Sequence, residues 1–91
     1  MNKKITKYRS NGIGVVKFNI GNNNYDKTMI YYKSGKPKLE RNYKNGELEG
    51  NLISYWENGT IHIRGKYKSS KRIGTWKTFD KKGNIVLSED F

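Results

Sequence analysis

The sequence predicts an all-β fold: a single-layer, twisted antiparallel meander of about eight strands built from repeated β-hairpins. Three observations predict it. Glycine, aromatic and aliphatic residues recur in step at a spacing of 24, apolar and polar residues alternate along the runs between them, and short Gly-containing turns separate those runs. Period-two alternation is the pattern of a half-buried strand. No segment carries the 3.6-residue apolar period of an amphipathic helix.

The repeat is read from several rows at once. Gly35, Gly59 and Gly83 are 24 apart, as are Tyr31, Tyr55 and Phe79, then Leu39, Ile63 and Leu87, then Tyr43, Tyr67 and Phe91. Gly50 and Gly74 match in the same way. A worn first copy appears at a shift of 23, with Gly12, Val16, Ile20 and Tyr8 answering Gly35, Leu39, Tyr43 and Tyr31. The chain is then one domain over 1–91, with a degenerate repeat at 4–26 and clear repeats at 27–91.

Strands are expected near residues 4–9, 13–20, 27–33, 37–44, 51–57, 60–68, 74–80 and 84–91. In 37–44, Pro37, Leu39 and Tyr43 take one face, and Lys38, Glu40, Asn42 and Lys44 the other. In 60–68, Ile61, Ile63 and Tyr67 oppose His62, Arg64, Lys66 and Lys68. Asn11–Gly12, Asn45–Gly46 and Asn58–Gly59 suit a two-residue type I′ turn, in which both positions need positive φ. Ser34–Gly35 and Lys82–Gly83 fill the slot of Asn58–Gly59, while Asn22–Asn24 and Ser69–Ser70 read as looser connections. Equivalent positions then lie two strands apart, about 9.5 Å. Leu39, Ile63 and Leu87, joined by Val16, form one ladder; Tyr43, Tyr67 and Phe91, joined by Ile20, form another.

Composition bounds what such a sheet does. In 91 residues, 33% are hydrophobic, so seven Tyr, three Phe and two Trp carry most of the apolar area. Tyr and Trp bury a ring while keeping a polar tip wet, which suits a thin structure. The formal net charge is +11, from 19 Lys+Arg against 8 Asp+Glu. A field of that sign draws acidic partners. Without Cys there is neither a disulfide nor a thiolate metal site. Lys3 and Lys4 precede no apolar run, and no stretch is long and apolar enough to span a membrane as a helix. The expected location is the cytoplasm.

At this point the residues carry a resemblance. Tyr31-Tyr32-Lys33-Ser34-Gly35, Tyr43-Lys44-Asn45-Gly46, Gly50, Tyr55-Trp56-Glu57-Asn58-Gly59 and Gly74-Thr75-Trp76 resemble the variant MORN repeat of bacteria. The resemblance covers 27–91 well and 4–26 poorly. The chain departs from that pattern where a His often precedes the repeat glycine, a slot held here by Glu49 and Ile73, and at Ser70, where Gly46 would recur. The resemblance implies a binding module of the antitoxin or immunity type, a small inhibitor of a toxin. A mobile-element inhibitor of a defence enzyme fits equally.

Catalytic chemistry finds little to work with. His62 is the one histidine, and Zn²⁺ wants several N, S or O ligands together. Nucleophilic triads need a nucleophile, a base and an orienting group. Glu47 and Glu49 sit near a turn with no apolar pocket, and Glu89 and Asp90 point to opposite faces of a strand. The glycines recur at hairpin turns, not in a strand-to-helix phosphate loop. The expectation is a non-enzyme without cofactor or metal.

Two surfaces are candidates for a partner. The first is basic: Lys17, Lys38, Lys44, His62, Arg64, Lys66 and Lys68, with Lys71 and Arg72 in the loop that follows. The second is aromatic: strand alternation puts Tyr32 and Trp56 opposite Tyr31 and Tyr55, and hence on the more exposed side. Exposed Tyr, Trp and Arg are favoured anchors at interfaces. The expected partner is an acidic protein. Nucleic acid is the alternative, since lysines interleaved with aromatics make a stacking platform. An anionic membrane surface ranks last. Free sheet edges offer a route to a homodimer.

Overall fold

The computed structural model describes residues 3–10, 13–20 and 25–91, with side chains from residue 26 onward. Eight strands run through the described residues: β1 Lys3–Ser10, β2 Ile13–Ile20, β3 Tyr25–Tyr31, β4 Pro37–Lys44, β5 Glu47–Tyr55, β6 Ile61–Lys68, β7 Lys71–Phe79 and β8 Ile85–Asp90. They form one sheet in sequence order, each strand antiparallel to the next. The expected single-layer meander is therefore the fold. Four strands start earlier than their pattern suggested, β1 at Lys3 and β3 at Tyr25 by a residue or two, β5 at Glu47 and β7 at Lys71 by more. For β5 and β7 the reason lies in the turns before them.

Asn45 and Gly46 have φ of 51° and 80°, as a type I′ turn requires. Ser69 and Ser70 have φ of 48° and 64°, so they make the same tight turn instead of a looser connection. Hydrogen bonds from outside the turn hold the serines there. The Ser70 N–H donates to the Leu48 carbonyl, the Ser70 hydroxyl accepts from the Leu48 N–H, and the Ser69 N–H donates to Glu49. The other turn class differs from expectation. At Asn58–Gly59 only the glycine has positive φ, 95°. The Gly59 N–H donates to the Trp56 carbonyl and the Trp56 N–H to the Thr60 carbonyl, a three-residue loop closed by a glycine bulge. Tyr32–Lys36 and Asp80–Asn84 repeat it, and the register shifts there in all three hairpins. Asn11–Gly12 and Asn22–Asn24 lie outside the described residues.

The rows predicted from the 24-residue step are real in register. Leu39 faces Ser54, Ser54 faces Ile63, Ile63 faces Thr78 and Thr78 faces Leu87. On the other side Leu39 faces Ile30, which faces Val15. Val15, not Val16, thus continues this row, and Asn19, not Ile20, faces Asp26 in the row of Tyr43. Sequence matching gives the first copy a shift of 23. The register instead keeps the full step of 24 there.

A single layer has no second layer to bury its face against. Among the residues whose side chains are described, Trp76, 8% exposed, is the buried hydrophobic one, and Thr28, 7% exposed, the buried polar one. Both lie on the face of Leu39 and Ile63, in a row that runs Thr28, Arg41, Leu52, Gly65 by register. Trp76 lies flat on Gly65: a Cβ built there would fall inside the indole. Tyr67 and Phe91 pack edge-on against the same ring, at 5.0 and 6.2 Å between centroids. The Trp76 indole N–H donates to the Lys66 carbonyl at 3.2 Å.

Candidate partner-binding surface

The opposite face carries the charge. Alternation along β6 sends His62, Arg64, Lys66 and Lys68 away from Trp76. The register then decides their neighbours. Arg64 stands opposite Ile53 on one side and Lys77 on the other, Lys66 opposite Asn51 and Ile73, and Lys68 opposite Lys71. Five cations, Arg64, Lys66, Lys68, Lys71 and Lys77, therefore share one block across two strands, and none of them forms an ion pair among the described residues. Like charges directly opposite each other destabilise a sheet. This block holds two such pairs, Arg64 with Lys77 and Lys68 with Lys71.

Lys38 and Lys44 occupy the same face two strands away, on β4. Lys38 lies over the Tyr32 ring at 5.5 Å, and Lys44 is exposed. Lys17 is on β2, outside the residues whose side chains are described. Arg72 does not join this surface. The early start of β7 puts it in the sheet opposite Tyr67, with its guanidinium 5.3 Å from the Trp76 ring and 5.2 Å from Phe91 on the other face. Lys71 is likewise in β7 and not in a loop. Lys77, Asn51 and Thr75 escaped the sequence reading. A signal for Lys77 existed: at the 24-residue step Met29, Ile53 and Lys77 are equivalent, so a cation replaces an apolar residue.

Tyr32 and Trp56 are not the free aromatic planes that alternation suggested. Both are half-buried. The Tyr32 hydroxyl donates to the Tyr55 carbonyl at 2.7 Å, and the Trp56 indole N–H to the Phe79 carbonyl at 3.0 Å. Each ties its own hairpin to the next, and each is covered in turn. His62 stacks on Trp56 at 3.9 Å, Lys81 approaches the same ring at 5.5 Å, and Lys38 covers Tyr32. His62 is thus a packing partner of Trp56 at the margin of the basic block. Asp80, the third residue of this row, closes its own turn by accepting from the Lys82 and Asn84 N–H groups. The Asn84 N–H, followed by its side-chain amide and the Lys82 and Gly83 N–H groups, holds the Asp80 carboxyl below its ordinary range.

Between β6 and β7, on the basic face, lies an open notch of about 200 Å³ lined by Asn51, Arg64, Gly65, Lys66, Ile73, Gly74 and Thr75. Gly74, at φ 68°, sits at the bulge where the register of β6 with β7 shifts. Such a bulge bends its strand and increases the local twist. Arg64 is steadied at the rim by the Phe79 ring, 5.6 Å away.

The sequence matches the MORN repeat variant family model over residues 27–45 and 48–69. These are MORN repeats. Their hairpins are the units of β3–β4 and β5–β6, and the register carries the same step on to Leu87. MORN repeats generally serve as protein- or membrane-binding modules. No curated protein and no solved structure matched the chain in the searches made.

Proposed function

We propose that this MORN-repeat chain is a non-catalytic inhibitor, of the antitoxin or immunity type or carried by a mobile element against a defence enzyme. It covers an acidic partner protein with the face of Arg64, Lys66, Lys68, Lys71 and Lys77. One observation carries the reading: two cross-strand pairs of like charge, Arg64 with Lys77 and Lys68 with Lys71, stand on one face, one on each side of Lys66. Such pairs cost stability in the free sheet and are relieved by a negative surface. Opposite charge across an interface also steers encounter and suppresses wrong partners.

Nucleic acid could use the same cations, but it draws on open aromatic planes for stacking. Tyr32 and Trp56 are hydrogen-bonded and covered, which favours the protein partner. The test is a tagged pull-down from native lysate at moderate salt, with and without nuclease. One stoichiometric protein that survives nuclease, and is lost with Arg64→Glu/Lys77→Glu, is the expected result. Material that vanishes with nuclease, leaving no protein, would sink the proposal.

A further inference from the structure

The repeat supplies its own control. Stepping back 24 residues from the notch, Asn51, Arg64, Lys66 and Gly74 become Lys27, Glu40, Asn42 and Gly50. The two sets are equivalent in register as well: Lys27 faces Asn42 as Asn51 faces Lys66, and Met29 faces Glu40 as Ile53 faces Arg64. The earlier set is closed on itself. Lys27 pairs with Glu40 at 3.7 Å, and the Asn42 amide donates to Glu40 at 3.3 Å and to the Asn51 carbonyl at 2.8 Å. The later set has lost its acid. Arg64 stands where Glu40 stood, Lys66 where Asn42 stood, and neither has an acidic partner among the described residues.

We infer that the notch of Arg64, Lys66 and Asn51 is a carboxylate receptor, which takes an Asp or Glu side chain from an acidic segment of the partner and so replaces the missing Glu40. The inference rests on the partner-binding reading above and names the group that reading leaves open. Arg64 offers a planar fork that matches a carboxylate through two parallel hydrogen bonds. Lys66, two residues along the same face, adds a point charge, and the Asn51 amide faces it across the strand pair. Thr75 lines the notch, but its hydroxyl already donates to Asp90 at 2.7 Å. Ile73, 38% exposed, gives an apolar wall for the methylenes of the incoming side chain. A volume of about 200 Å³ holds a side-chain carboxylate with a few waters, each taking about 30 Å³.

The repeat also designs the test. The triple variant Asn51→Lys/Arg64→Glu/Lys66→Asn rebuilds the closed earlier arrangement in the later position. Lys33→Glu, in an exposed turn, changes the net charge by the same two units and is the control. The probes are a hexaglutamate peptide, inorganic phosphate and a thymidine oligonucleotide, each titrated into the full chain and followed by amide shifts. We expect the peptide to bind, to weaken about tenfold or more in the triple variant, and to change less than twofold in Lys33→Glu. Equal weakening in both variants would overturn the receptor while leaving a partner found by pull-down in place. Binding of phosphate or the oligonucleotide without the peptide would overturn it as well. Should the triple variant not fold, Arg64→Gln carries the same expectation.

Discussion

In the unit of β4 and β5, Arg41 lies opposite Leu52; in the unit of β6 and β7, the equivalent positions hold Gly65 and Trp76. The first unit fills its face with a long cation that reaches over Tyr43, at 6.0 Å, and its Nε is buried without a hydrogen-bond partner among the described residues. The second removes one side chain entirely and lays an indole over the bare backbone. One repeat thus spreads volume over two positions, and the next concentrates it in one. On the other face the closed Lys27–Glu40–Asn42 network of β3 and β4 gives way to open cations on β6 and β7. The lesson is that a repeat preserves backbone geometry while leaving each face free to diverge. Here the unit that buries Trp76 is also the one whose cations form no ion pair among the described residues.

The largest effect is expected where that packing leaves no room. Gly65→Ala forces the Trp76 ring off the strand and should cost about 3 kcal/mol, read from the urea midpoint. In a Trp76→Leu background the same change should cost well under half as much, because the clash is gone. Arg41→Gly combined with Leu52→Trp asks the converse: if the units are interchangeable, the pair costs less than the sum of the two single changes. Next come the ties between hairpins. Tyr32→Phe and Trp56→Phe each delete one hydrogen bond to a neighbouring carbonyl, and each should lower stability by about 1 kcal/mol. Similar losses at both sites would show that the tie is a property of the repeat.

A smaller gain is expected at the turn where the two units differ. Ser69 holds a φ of 48° in the position of Asn45. Ser69→Asn keeps the backbone N–H that donates to Glu49 and tolerates the left-handed region better, so thermal unfolding should rise by the equivalent of about 0.5 kcal/mol. The smallest effect is a pH dependence. Asp80 has a folded pKa below its ordinary value of 3.8, chiefly through the Asn84 N–H. Its contribution is present in full above that ordinary value and is lost as pH falls through the folded one. Stability measured down the acid range should therefore fall faster in the parent than in Asp80→Asn.

Much of this architecture was legible because turn glycines and alternating strands are local signals. Gly35, Gly59 and Gly83 announce their hairpins, since a positive φ is cheap only for glycine. The turn type was not legible at Asn58–Gly59, because the same dipeptide serves a two-residue turn or the end of a three-residue loop. Ser69–Ser70 gave no local sign of a tight turn, since hydrogen bonds to Leu48 and Glu49, 20 or more residues away, hold it. The basic face was half legible. Alternation found His62, Arg64, Lys66 and Lys68, but it could not show that Lys77 faces Arg64, or that Arg72 turns to Trp76.

The amino-acid sequence by itself determined the repeat, the antiparallel order of its hairpins and the sign of the surface, since each follows from spacing, alternation and charge along the chain. Only the tertiary structure decided which cations meet, that Tyr32 and Trp56 are ties between hairpins, and that Gly65 exists to receive Trp76. Those depend on register across strands, and a single bulge, as at Gly74, where β7 spends two more residues than β6, shifts the register and changes every neighbour beyond it.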